Sequence, residues 1–250
     1  MLTFCLGLVL IGAVLQAAGA AKGDRLVFPG VDEILRAFVR LTVTPQTYRL
    51  IATTLKHLIV SMAVSTVLGV SLGLLQGLCR FARQLLRPMM ILLRSLPMIV
   101  LIVIVMVLVK YDKVPVIASS IILVPMIAEA ACEGCLRIDP ELIDVYRMNA
   151  GLNIRVLFRV YLPLMAGYLR QAYINAVGMG VKLAVSTEYL VQTRDSLGKA
   201  VHMSGYFNEY QDIYAYALLM ILLVLLVSEL PMGIVRAVSN RRSPRGRCRT

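Results

Sequence analysis

Five residues between Leu164 and Val191, namely Gln171, Asn175, Gly178, Lys182 and Ser186, recur at spacings of four, three, four and four. A helix stacks residues spaced in this way along one face. Polar groups inside an otherwise apolar helix are tolerated where they face a water-filled path or a neighbouring helix, so the chemistry on offer is the binding and passage of a polar solute. Lys182 sits near the middle of the run, where an ammonium in hydrocarbon costs roughly 2.5 to 3.5 kcal/mol on insertion scales. It therefore needs water or a counter-charge, supplied by an anionic solute or by Glu129 or Glu229 from neighbouring spans. Glu188, six residues on, is grouped with the same path although it falls on a different face.

Other reactive residue types are present without the partners that chemistry requires. Glu129, Glu133 and Arg137 follow one another at four-residue spacing and can form an ion ladder along a helix. Cys132-Glu133-Gly134-Cys135 has C-x-x-C spacing but neither a second ligand pair nor a strand-helix-strand setting. His57 and His202 are isolated, so no metal site is expected, and Glu229 is a single acid without a relay. No catalytic constellation is visible, and the absence of a G-x-x-x-x-G-K-[ST] loop leaves no cradle for ATP phosphates. No bound cofactor is expected, and energy for any transport must come from elsewhere.

The elements that position these residues are apolar helices. The 250 residues are 59% hydrophobic and 16% charged, far below the roughly 25% charged of soluble domains. Backbone groups in a bilayer must be satisfied within the span, so long apolar runs become helices. Such runs lie at about Leu2 to Ala21, Leu55 to Leu78, Met89 to Val109, Val114 to Ala131, Leu164 to Val191 and Ile213 to Val235. The expected fold is thus all-α: one polytopic membrane domain over residues 1–250 with about six transmembrane helices. Ala18-Gly19-Ala20 resembles a signal-peptidase site, but the first run lacks a basic leader and is read as a retained span.

A net charge of +12 would suit nucleic acid only with a basic soluble reading face, and none is visible, so no nucleic-acid partner is expected. The basic residues flank the spans instead, at Arg80, Arg83, Arg87, Arg137, Arg147, Arg155 and Arg159, and in the tail 236–250. This places those segments and both termini in the cytoplasm, with the tail against lipid headgroups. The cysteines then lie at or near cytoplasmic ends of spans, where thiols stay reduced. Outside, Val31 to Leu41 is an amphipathic segment expected at the membrane interface. In the second span Ser61, Ser65, Gly69, Gly73 and Gly77 form a small-residue stripe suited to close helix packing.

The cytoplasmic loop 139–163 begins as helices begin. Asp139 is an N-cap candidate, Pro140 suits the first helical position, Glu141 complements the dipole and Gly151 supplies the stop. Leu142, Ile143, Tyr146 and Ala150 share one face, while Glu141, Asp144 and Arg147 point toward water or a partner. A second short helix is expected from Asn153 to Leu162, ended by Pro163. Helices this short need something to dock on, either a lipid surface or a soluble motor.

Asp144 to Pro163 resembles the cytoplasmic "EAA" loop of the permeases of binding-protein-dependent ABC importers. Asp144 stands at the family's Glu, Ala150 at its Gly, and Leu162-Pro163 at its closing Leu-Pro; Val145 and Tyr146 replace the two alanines. The literal Glu129-Ala130-Ala131 lies too far upstream to be this motif. Phe28-Pro29, Thr53-Thr54-Leu55, Gly69 to Gly77, Arg87-Pro88, Arg94-Ser95-Leu96-Pro97, Asp139 to Ile143, Glu188 and Leu197-Gly198 extend the likeness toward the sulfonate, taurine and nitrate branch. The resemblance implies a multi-pass permease of the bacterial inner membrane with a cytoplasmic coupling helix. It also implies a partner ATPase that holds ATP and Mg, an extracytoplasmic solute-binding protein, and a second permease copy or paralogue. An ion-coupled secondary transporter or channel using Glu129 and Glu229 is the alternative, though Met1 to Lys113 and Val114 to Thr250 show no internal repeat.

Overall fold

A computed structural model describes residues 29–139, 141 and 156–242, with side chains except at 157, 158 and 228–242. The described residues form helices and turns, with no strand among them. The helices are α1 (Val31–Val43), α2 (Pro45–Leu78), α3 (Arg80–Ser95), α4 (Met98–Leu108), α5 (Val114–Leu136), α6 (Leu162–Val191), α7 (Leu197–Tyr206) and α8 (Tyr210–Arg242). Three segments are long and apolar enough to cross a membrane: Pro45–Leu78, Tyr111–Leu136 and Tyr210–Val227. The α3 and α4 pair adds a fourth if taken together, although it is bent by 101°. Helix α6, at 30 residues, has the length, but the polar stripe dilutes its apolar character and it is not among them. The expected first span, Leu2 to Ala21, lies outside the described residues.

The small-residue stripe of α2 decides the centre of the fold. Ser61, Ser65, Gly69 and Gly73 are buried against α5. A Cβ on Gly69 would come within 2.8 Å of the Ile127 Cβ, and one on Gly77 within 2.6 Å of the Cys135 Cβ. Ser120 Oγ, which donates to the Val116 carbonyl at 2.7 Å, lies 3.4 Å from the Ser61 carbonyl, and Ser65 Oγ donates to the Ser120 carbonyl at 3.5 Å, so the two backbones meet through small groups as membrane helices favour. The packing role read from the stripe is thus the one observed. The α5 residues that meet the stripe, Ile127, Ala131 and Cys135, also pack with Met165 and Leu169 of α6, so the three helices share one core cluster.

Several expectations need correction. The third span is not one helix: α3 ends at Ser95, and Leu96 is extended (φ −66°, ψ 130°) because it precedes Pro97, whose ring excludes the helical conformation from its neighbour. The short helix expected to end at Pro163 does not end there. A π-helical turn, Leu157–Tyr161, runs directly into α6, so Pro163 sits within a continuous helical segment and does not end it. The amphipathic segment near residue 31 is a helix, of which Ile34, Ala37 and Leu41 are buried where α1 packs on α8 while Leu35, Val39 and Val43 stay exposed. Arg40 donates to Asp212, which fixes that contact. The segment after α6 contains a helix, α7, entered through left-handed Gln192 (φ 54°) and Asp195 (φ 51°).

Candidate functional site

Helix α6 carries the stripe as one continuous element: no proline follows Pro163, and Gly178 and Gly180 are held within it without a break. Gln171, Asn175 and Lys182 are exposed on this chain, Gly178 and Ser186 half-buried. Gln171 Nε2 donates to Asn175 Oδ1 at 3.5 Å, one turn along the face. A Cβ built on Gly178 meets nothing within 4 Å, so space lies open beside it. The face is therefore available to water, solute or a second chain rather than buried in this bundle.

Below the middle of the stripe, α5 and α6 enclose a groove of about 560 Å³. Glu129, Glu133, Tyr168, Gln171 and Asn175 supply its polar atoms, and Met126 and Ala172 its apolar wall. The expected ladder along α5 is replaced by contacts between helices. Arg94, at the end of α3, grips Glu129 through both guanidinium nitrogens, one bond measuring 3.1 Å, while Arg137 lies over the Tyr168 ring at 5.7 Å from its centroid. Glu129 is thus engaged by Arg94 rather than Lys182, and the Glu229 side chain lies outside the described ones.

Glu188 is placed apart from the stripe, fully buried where α2, α6 and α7 converge. Thr54 Oγ1 donates to its Oε2 at 2.8 Å, and the Gly198 amide to the same oxygen at 3.3 Å. His57 Nδ1 lies 2.7 Å from Oε1; as the carboxylate only accepts, Nδ1 is the protonated nitrogen. Thr54 Oγ1 in turn accepts from the Leu197 amide at 3.1 Å. Every carboxylate oxygen thus has a donor, as burial of a charge demands. Reading the sequence missed Thr54 and His57 as its partners. They are 134 and 131 residues away along the chain, and the only local signal was that both share one face of α2 with Leu50 and Leu58.

Of the loop residues, Asp139 Oδ1 accepts from the Glu141 amide at 3.1 Å, as an N-cap would. Leu162 and Pro163 open α6. Pro140, Asp144, Tyr146, Arg147, Ala150 and Gly151 lie outside the described residues. Cys132 and Cys135 are buried thiols, the latter packed on Gly77. No group of three metal-ligating side chains exists among the described residues.

Comparison with known proteins agrees with this architecture. A probable ABC transporter permease protein of Brucella melitensis is 24% identical over 218 residues, covering 86% of this chain and 85% of the relative. One of Brucella abortus is equally identical, covering 86% of this chain and 83% of its own. Two inward-facing structures of the MetNI methionine ABC transporter superpose with TM-scores of 0.65 and 0.67 at 20% and 22% identity. They cover 78% and 77% of this chain and 98% and 96% of theirs, and show a shared fold. Residues 65–244 match the family described as binding-protein-dependent transport system inner membrane component. That match spans most of the chain, which therefore belongs to this family of ABC-type transport permeases, integral membrane proteins.

Proposed function

We propose that this chain is the permease subunit of an ATP-driven importer of the bacterial inner membrane, working with a separate ATPase, an extracytoplasmic solute-binding protein and a second permease. The family match over residues 65–244 carries the reading. Six crossings are assigned: the first hydrophobic run, α2, the bent α3 and α4 pair, α5, α6 and α8. The loop 139–163 is the docking element for the ATPase, which binds the ATP and Mg. The open polar face of α6 lines the solute path, with Gln171, Asn175, Gly178, Lys182 and Ser186 along it. The solute is small, and Lys182 favours an anion of the sulfonate, taurine or nitrate kind.

The test is copurification. The chain should purify with an ATPase, and Ala150→Arg or Tyr146→Glu, each placing charge on the apolar face of the loop helix, should abolish transport while membrane insertion persists. Normal transport in both variants with no ATPase bound would end the importer reading.

A further inference from the structure

The cluster around Glu188 does more than satisfy a buried charge. The first three amides of α7 have no partner within their own helix, and each is taken up differently. Lys199 N donates to Ser196 Oγ at 3.3 Å, an ordinary N-cap. Leu197 N and Gly198 N are instead received by Thr54 of α2 and Glu188 of α6. The carboxylate also complements the positive end of the α7 dipole. A Cβ on Gly198 would lie 2.5 Å from the Glu188 Cβ, the Tyr189 nitrogen and the Val185 carbonyl oxygen. Helix α7 therefore rests flush on the backbone of α6, with no gap in which to slide.

We infer that Glu188 is a positioning residue that locks α7 to α6, so that the two move as one body. Helix α6 runs unbroken from Leu162 to Val191, about 45 Å, between the docking loop and α7. A displacement imposed at the Pro163 end is then delivered to α7 without slack. This transmission rests on the importer reading; the lock does not.

The lock is tested on the full-length chain in lipid nanodiscs by amide hydrogen exchange. Glu188→Ala should raise exchange of the Leu197–Tyr206 segment roughly tenfold, since it strips a cap and leaves buried donors unpaired, while Val114–Leu136 is unchanged. Thr54→Val and Glu188→Gln, which keep side-chain volume, should loosen the same segment by less and carry the comparison if the alanine variant fails to fold. Unchanged α7 exchange, or an equal rise in α5, overturns the lock. In vesicles holding the permease with its ATPase and binding protein, Glu188→Gln should lower the ratio of stimulated to basal ATP hydrolysis roughly fivefold. A normal ratio with a loosened α7 overturns the transmission alone. Failure of any ATPase to associate would defeat the importer reading and leave the exchange result standing.

Discussion

Gly73 has no room for a side chain: a Cβ there would sit 2.4 Å from the Ala128 carbonyl oxygen and 2.5 Å from the Ala131 Cβ. Both contacts belong to α5, whose backbone cannot yield without opening the central packing. Gly73→Val should therefore lower the unfolding midpoint in detergent, by an overpacking cost of about 1–3 kcal/mol. Gly178→Ala is the contrast, because its Cβ meets nothing and the change removes helical glycine entropy worth roughly 0.5–1 kcal/mol. Its midpoint should hold or rise, and a fall would mean that a second chain fills the space. On the same face Lys182→Met should impair uptake of an anionic solute without lowering stability. Full transport with normal stability would remove Lys182 from the path.

At the scale of elements, the bend between α3 and α4 comes from one residue. Pro97 keeps Leu96 extended, and Ala at that position would release the restriction. Pro97→Ala should let the pair straighten, lengthening the distance between spin labels at Leu85 and Ile104, both exposed. An unchanged distance would show that packing on α5 holds the 101° angle. The Arg94 to Glu129 pair adds little to that hold. Its side chains are 43% and 49% exposed, so Arg94→Gln should change stability by no more than about 1 kcal/mol. A larger loss would mean that the second permease or the lipid buries the pair.

For the whole molecule, orientation is the property on which docking and transport both depend. By the positive-inside rule the arginines of α3 and the tail predict the loop 139–163 inside and α7 outside. A cysteine introduced for Tyr206, which is 73% exposed, should react with an impermeant reagent in intact cells, and one introduced for Asn153 should not. The reverse labelling pattern would invert the topology and with it the assignment of the loop to an ATPase.

Composition and apolar run length were enough to establish a helical membrane protein, because a bilayer leaves backbone hydrogen bonds almost no other solution. The Ser61 to Gly77 stripe likewise announced a close-packed helix, since small residues at four-residue spacing define a face whatever meets it. The sequence could not say that α5 was the partner, nor that Arg94 rather than Lys182 would hold Glu129, because those choices depend on which helices lie side by side. Glu188 shows the difference most plainly. Its position along α6 suggested the solute path, yet its carboxylate is enclosed by Thr54, His57 and Gly198, brought together from α2 and α7. Periodicity fixes the side of a helix on which a residue stands, and only the packing of other helices determines whether that side meets solute, lipid or a hydrogen-bond donor.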